Sequence, residues 1–151
     1  GLVGSEMCIR DRNVNLLLPA DSTIASSFSN EADIKTAENT NIDDNWMGLD
    51  IGPNAISDFS EVIVKSKTIM WNGPMGVFEM SNFENGTKSV AEAIAKATEN
   101  GAYSLIGGGD SAAAITKFNY TDKVSYISTG GGALLEFLEG KELPGIKAIL
   151  N

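Results

Sequence analysis

The sequence predicts an α/β fold, a mostly parallel sheet with helices on both faces. Short apolar runs alternate with helical patterns of about ten residues, the order that yields parallel strands joined by crossover helices. Late in the chain, two glycine-rich loops each follow an apolar run and open a helix-like run. The first reads Ile106-Gly107-Gly108-Gly109-Asp110-Ser111 and the second Ser128-Thr129-Gly130-Gly131-Gly132. At 151 residues and 42% hydrophobic, the chain is large enough for one globular core.

Residues 1–12 (GLVGSEMCIRDR) have no helix or strand period and read as a non-native or disordered leader, with an ordinary flexible terminus as the alternative. Residues 14–18, mostly apolar and ended by Pro19, predict a buried strand. Residues 21–30 read as a loop or irregular strand, and 31–44 as a polar, surface-exposed stretch in which Asp43 and Asp44 are solvated. Residues 46–53, with Gly48, Gly52 and Pro53, predict a short strand or turn. A helix follows over 55–65, with Ile56, Phe59 and Ile63 on one face and a Glu61–Lys65 pair outside. Residues 68–71 read as a strand that runs into a loop from Asn72 through Met75 to Glu79. A second helix spans 89–100, striped by Val90, Ile94 and Ala97 and stopped by Gly101. Trp46 and Trp71 are expected in or near the core.

Composition removes several function classes. A net charge of −9 argues against nucleic-acid partners, which need clustered Lys and Arg. No apolar stretch approaches the ~20 residues of a membrane span. With no histidine and Cys8 as the only cysteine, zinc clusters, His-based triads and internal disulfides are excluded, which fits a reducing, cytoplasmic setting.

The glycine loops are the chemical signal. Strand, glycine turn and helix start is an arrangement that holds phosphate, because glycine lets backbone N–H groups approach an anion and the helix start adds partial positive charge. In the first loop, Gly107, Gly108, Gly109 and Ser111 are candidate phosphate contacts, with Asp110 placed to meet a magnesium ion. The plainer reading is that Asp110 or Ser111 only caps the following helix. In the second loop, Gly130, Gly131 and Gly132 are candidate donors to charge developing in phosphoryl transfer; the plainer reading is a strand-to-helix turn. Glu79 could accept ribose hydroxyls beside an apolar wall of Met75 and Val77, or could be an ordinary surface glutamate. In an α/β sheet, all three loops would lie at the carboxyl ends of the strands.

Neither glycine loop contains Lys or Arg, and the next ones along the chain are Lys117, at the far end of its helix, and Lys141. Phosphoryl transfer needs positive charge around the migrating group. The chain therefore reads as the backbone-donor half of a site within a larger enzyme.

Four motifs carry a resemblance: residues 46–53, 71–79, 107–114 and 128–133, closed by Leu138-Glu139-Gly140-Lys141-Glu142-Leu143-Pro144-Gly145. In this order they resemble the phosphoglycerate kinase family, over about residues 13–151. The resemblance implies a Rossmann-like three-layer α/β/α fold, here as an incomplete C-terminal nucleotide-binding domain. It also implies a cytoplasmic, glycolytic enzyme that is monomeric at full length. That enzyme transfers a phosphoryl group between 1,3-bisphosphoglycerate and Mg-ADP, giving 3-phosphoglycerate and Mg-ATP. By motif, Glu79 would bind the ribose with Asn72 and Met75 nearby, and Gly48 would lie by the adenine. Gly107 to Ser111 would handle phosphates and Mg²⁺, and Gly130 to Gly132 would face the transferred group. The glycerate substrate would bind an N-terminal domain with no counterpart here, so the chain alone is expected to be inactive. The alternative expectation is a non-catalytic nucleotide-binding or interaction module.

Overall fold

Two three-stranded sheets, one antiparallel and one parallel, organise the computed structural model, which describes residues 14–141 together with 143 and 147. The leader expected at 1–12 and part of the closing 138–145 motif lie outside the described residues.

The antiparallel sheet has β1 (Asp21–Ala25) at its centre, between β2 (Ile34–Glu38) and β3 (Met47–Ile51). In the β1–β2 hairpin, β1 takes up the strand alternative read over 21–30, while β2 replaces part of the polar, surface-exposed stretch expected over 31–44. Exposure explains the difference: β2 buries no residue fully, so it lacks the inward apolar alternation that marks a strand in sequence. It is held instead by its ladder to β1, from Asp21 opposite Glu38 to Ala25 opposite Ile34. Asp43, expected to be solvated, pairs with Lys35, whose ammonium lies 4.2 Å from the centroid of the half-buried Trp46 ring.

The parallel sheet has the order β4 (Thr68–Asn72), β5 (Tyr103–Gly107), β6 (Tyr126–Ser128). Side chains alternate between its faces. Ile69 and Trp71 of β4 and Ile106 of β5 are buried in one core with Val90, Ile94 and Ala97 of α2 (Asn85–Glu99) and Ala114 and Ile115 of α3 (Gly109–Lys117). On the other face, Met70, Tyr103 and Tyr126 are exposed. There α4 (Gly131–Leu138) meets the carboxyl end, where Leu134 Cδ2 lies 3.2 Å from the position a Gly107 Cβ would take. A parallel sheet flanked by helices is thus present, as the alternation predicts, with an antiparallel ribbon beside it.

Residues 14–18 form no strand, and Leu18 is 57% exposed. Apolar content alone does not make a strand; its backbone groups need a neighbour to pair with, and among the described residues none is supplied.

Two buried aspartates join the ribbon to the helices. The Asp21 carboxylate accepts the amides of Asn54 (3.1 Å) and Ala55 (2.8 Å), capping α1 (Pro53–Lys65) in place of its side-chain-less N-cap, Gly52. The Asp50 carboxylate accepts Gly86 N at 2.6 Å, in the first turn of α2, and Ile51 N at 2.9 Å. Both satisfy amides that a helix start leaves unpaired. Space forces glycine beside each: a Cβ on Gly52 would sit 2.3 Å from Asp21 Cγ, and one on Gly86 would sit 2.2 Å from Asp50 Oδ1.

Candidate functional site

Parallel register brings three of the predicted motifs to one edge: Asn72, Gly107 and Ser128 are aligned at the carboxyl ends of β4, β5 and β6. Gly108 N donates to Ser128 O at 2.9 Å. Gly108 has φ +93°, and an added Cβ there would lie 2.7 Å from Asn72 Oδ1. A Cβ on Gly131 would lie 2.8 Å from the same oxygen and 2.7 Å from Gly108 Cα. Gly108 and Gly131 are therefore demanded by the packing of the loops on one another. Gly109 and Gly132 are not, since nothing lies within 4 Å of a Cβ at either position.

Two helices begin at this edge. The N-cap of α3 is Gly108 and that of α4 is Gly130, and neither helix receives a side-chain cap. Asp110 is exposed in the first turn of α3 and does not cap it, which removes that plainer reading. Ser111 is 1% exposed, and its Oγ accepts Gly73 N at 2.7 Å. Its hydroxyl therefore holds the neighbouring loop from below.

That neighbouring loop, 73–79, has its backbone held from several elements. Met75 N (3.1 Å) and Gly76 N (3.2 Å) donate to Oγ1 of the buried Thr87 in α2. Val77 N donates to Leu49 O in β3 at 2.8 Å, which brings the strand carrying Gly48 against the loop. Phe78 O accepts Lys117 Nζ from the end of α3. Met75 packs against the parallel-sheet core and Val77 against Ala25, Leu49 and Phe83, so both are partly turned inward. Glu79 and Asn72 are exposed.

Asp50 lies beneath this loop: a Cβ on Gly76 would be 2.4 Å from its Oδ1. Burial pushes its carboxyl up to about 6, against the opposing effect of the Gly86 and Ile51 amides. Sequence reading missed Asp50, Thr87 and Lys117 as parts of this scaffold. The available signal for Asp50 was an acidic residue enclosed in the otherwise apolar Leu49–Ile51 run.

The two lysines that follow the glycine loops in sequence each have an acidic partner. Lys117 pairs with Glu84 at 2.6 Å, and Lys141 pairs with Glu139 at 2.5 Å. Among the described residues, no group of three or more His, Cys, Asp or Glu is gathered to hold a metal, and no helix is long and apolar enough to cross a membrane. A surface cleft lined by Glu92, Lys96, Tyr120 and Lys123 lies at the opposite end of the parallel sheet, since Val124, also in its lining, precedes β6.

Glycine turns gathered at the carboxyl edge of a helix-flanked parallel sheet define the architectural class. The family model described as phosphoglycerate kinase matches residues 6–141, and the chain belongs to the phosphoglycerate kinase family. It is 58% identical over 139 residues to phosphoglycerate kinase of Porphyromonas gingivalis, covering 92% of this chain and 33% of that protein. It is 55% identical over 138 residues to the Dictyostelium discoideum protein of that name, covering 91% and 33%. Among solved structures, phosphoglycerate kinase from Coxiella burnetii superposes with a TM-score of 0.86 at 45% identity, covering 94% of this chain and 36% of that one. The chain thus spans about a third of the length of the curated relatives it matches.

Proposed function

We propose that this chain carries the backbone-donor half of a phosphoglycerate kinase nucleotide site. The whole enzyme would transfer a phosphoryl group between 1,3-bisphosphoglycerate and Mg-ADP in the cytoplasm, as a monomer. This chain would be the later part of its C-terminal domain, over residues 13–151. The observation that carries the reading is the meeting of the α3 and α4 N-termini at one sheet edge, both without side-chain caps. Such helix starts present N–H groups and partial positive charge to an anion.

In this reading the nucleotide phosphates lie along Gly107, Gly108, Gly109 and Asp110, and the migrating phosphoryl group faces Gly130, Gly131 and Gly132. Ser111 shapes the cradle from below. The exposed Glu79 accepts the ribose hydroxyls, with Asn72 and Met75 beside it, and Gly48 borders the adenine. Magnesium bound with the nucleotide supplies neutralising charge to the phosphates. Asp110 would hold it, because one carboxylate plus phosphate oxygens is a usual Mg²⁺ set and Asp110 is exposed at the cradle.

The pairing of Lys117 with Glu84 supports binding without turnover in this chain. Backbone donors can hold a phosphate, but the charge that develops in transfer needs additional cations. A coupled assay of the chain with 3-phosphoglycerate and Mg-ATP should give no turnover above background. Turnover at a rate normal for a kinase would refute the half-site reading.

A further inference from the structure

We propose that Lys117 is a positioning residue for Glu79, and that α3 acts as a splint joining the phosphate cradle to the ribose loop. The proposal deepens the nucleotide reading and rests on it for the role of Glu79. Helix α3 begins at the cradle and touches the 73–79 loop at two points. Near its start, Ser111 Oγ accepts the amide of Gly73, the loop's first residue. At its last residue, Lys117 Nζ donates to the carbonyl of Phe78. These anchors are six residues apart, roughly 9 Å along a helix axis.

The second anchor acts on Glu79 through covalent geometry. Phe78 O belongs to the planar peptide unit that also contains Glu79 N and Cα, so holding that oxygen orients the backbone from which the carboxylate projects. The Phe78 ring is buried in the core, which fixes the other side of the same peptide. Lys117 is in turn held by Glu84, at the N-cap of α2, with a 2.6 Å ion pair. An exposed ion pair alone would contribute little. A charge-assisted bond to a loop carbonyl, on a helix whose other end is the cradle, ties the two halves of the nucleotide contact into one unit.

The test is a set of calorimetric titrations on the whole 151-residue chain with Mg-ADP and with Mg-pyrophosphate, which lacks ribose. Lys117→Met keeps the aliphatic stem and removes the donor. It should weaken Mg-ADP about tenfold, the effect of one lost charge-assisted hydrogen bond, and leave Mg-pyrophosphate unchanged. Lys117→Arg, which can still reach the carbonyl, should recover most of the Mg-ADP affinity. In a Glu79→Ala background, Lys117→Met should have no further effect. Equal Mg-ADP affinity in Lys117→Met and the parent, or an equal loss with and without Glu79, would overturn the proposal.

Hydrogen exchange without nucleotide judges the splint separately. Lys117→Met should speed exchange of the Val77, Phe78 and Met80 amides about tenfold, with β5 amides unaltered. Unchanged exchange would overturn the splint whatever the chain binds. If the parent chain takes up no Mg-ADP while its loop loosens as expected, the nucleotide reading and the role for Glu79 fail and the splint stands.

Discussion

Gly131 lies against Gly108 so closely that a Cβ on Gly131 would come within 2.7 Å of the Gly108 Cα. The two glycine loops are thus one packed unit, with Asn72 Oδ1 in contact range of both. Gly131→Ala must push backbone apart, and should destabilise the chain by about 1–3 kcal/mol. Gly108→Ala adds a positive φ and should cost at least as much. Denaturant unfolding measures both; parent-like stability in Gly131→Ala would mean the contact yields easily.

Gly109 and Gly132 provide the contrasting case, because a Cβ meets no protein atom there. Gly109→Ala and Gly132→Ala should leave stability unchanged or raise it by up to about 1 kcal/mol, as alanine favours helix. If phosphate approaches these backbones, the added methyl group should nonetheless reduce Mg-ADP affinity about tenfold or more, a change of at least ~1.4 kcal/mol. Unaltered affinity in both variants would place the phosphates elsewhere.

Removing the Asp21 carboxylate should uncap α1. Asp21→Ala leaves the Asn54 and Ala55 amides without their acceptor in a buried setting. A loss of about 1–3 kcal/mol is expected, readable as a lower midpoint in urea.

The Asp50 carboxyl, pushed up from 3.8 to about 6, predicts a pH dependence of defined sign. Between those values the folded chain binds more protons at this group than the unfolded chain does. The stability associated with its neutral form is therefore fully present below about pH 4 and is lost as pH rises through about 6. Asp50→Asn cannot titrate there. Thermal unfolding of the two chains should show the parent gaining on Asp50→Asn as pH falls from 7 to 4.5, by on the order of 2 kcal/mol. A difference between them that does not change with pH would contradict the shift.

The parallel half of the fold was readable because its residues obey simple periods. Ile69 and Trp71 alternate inward, Val90, Ile94 and Ala97 recur at helical spacing, and both glycine loops sit where strand meets helix. Of the antiparallel ribbon, β3 lies within the strand or turn read at 46–53 and β1 within the loop or irregular strand read at 21–30. Strand β2 was not readable, since it is a mostly exposed strand whose polar residues resemble a loop. Residues 14–18 misled in the opposite direction: they have a strand's composition without a described neighbour to pair with. At the site, local sequence revealed which residues could meet an anion. It did not reveal which glycines the protein itself requires, or that Ser111 and Lys117 turn toward the 73–79 loop, because those facts depend on contacts 38 and 39 residues apart in sequence.

In the proposed half-site, two packed glycine loops, with Glu79 and Asp110, hold a nucleotide without the cations for transfer. Calorimetric titration of the intact chain with Mg-ADP tests it most directly. The expected result is weak, saturable one-to-one binding, reduced at least tenfold, or ~1.4 kcal/mol, by Glu79→Ala and by Asp110→Ala in chains that remain folded. Absence of saturable binding by the folded chain, or binding indifferent to both substitutions, would contradict it.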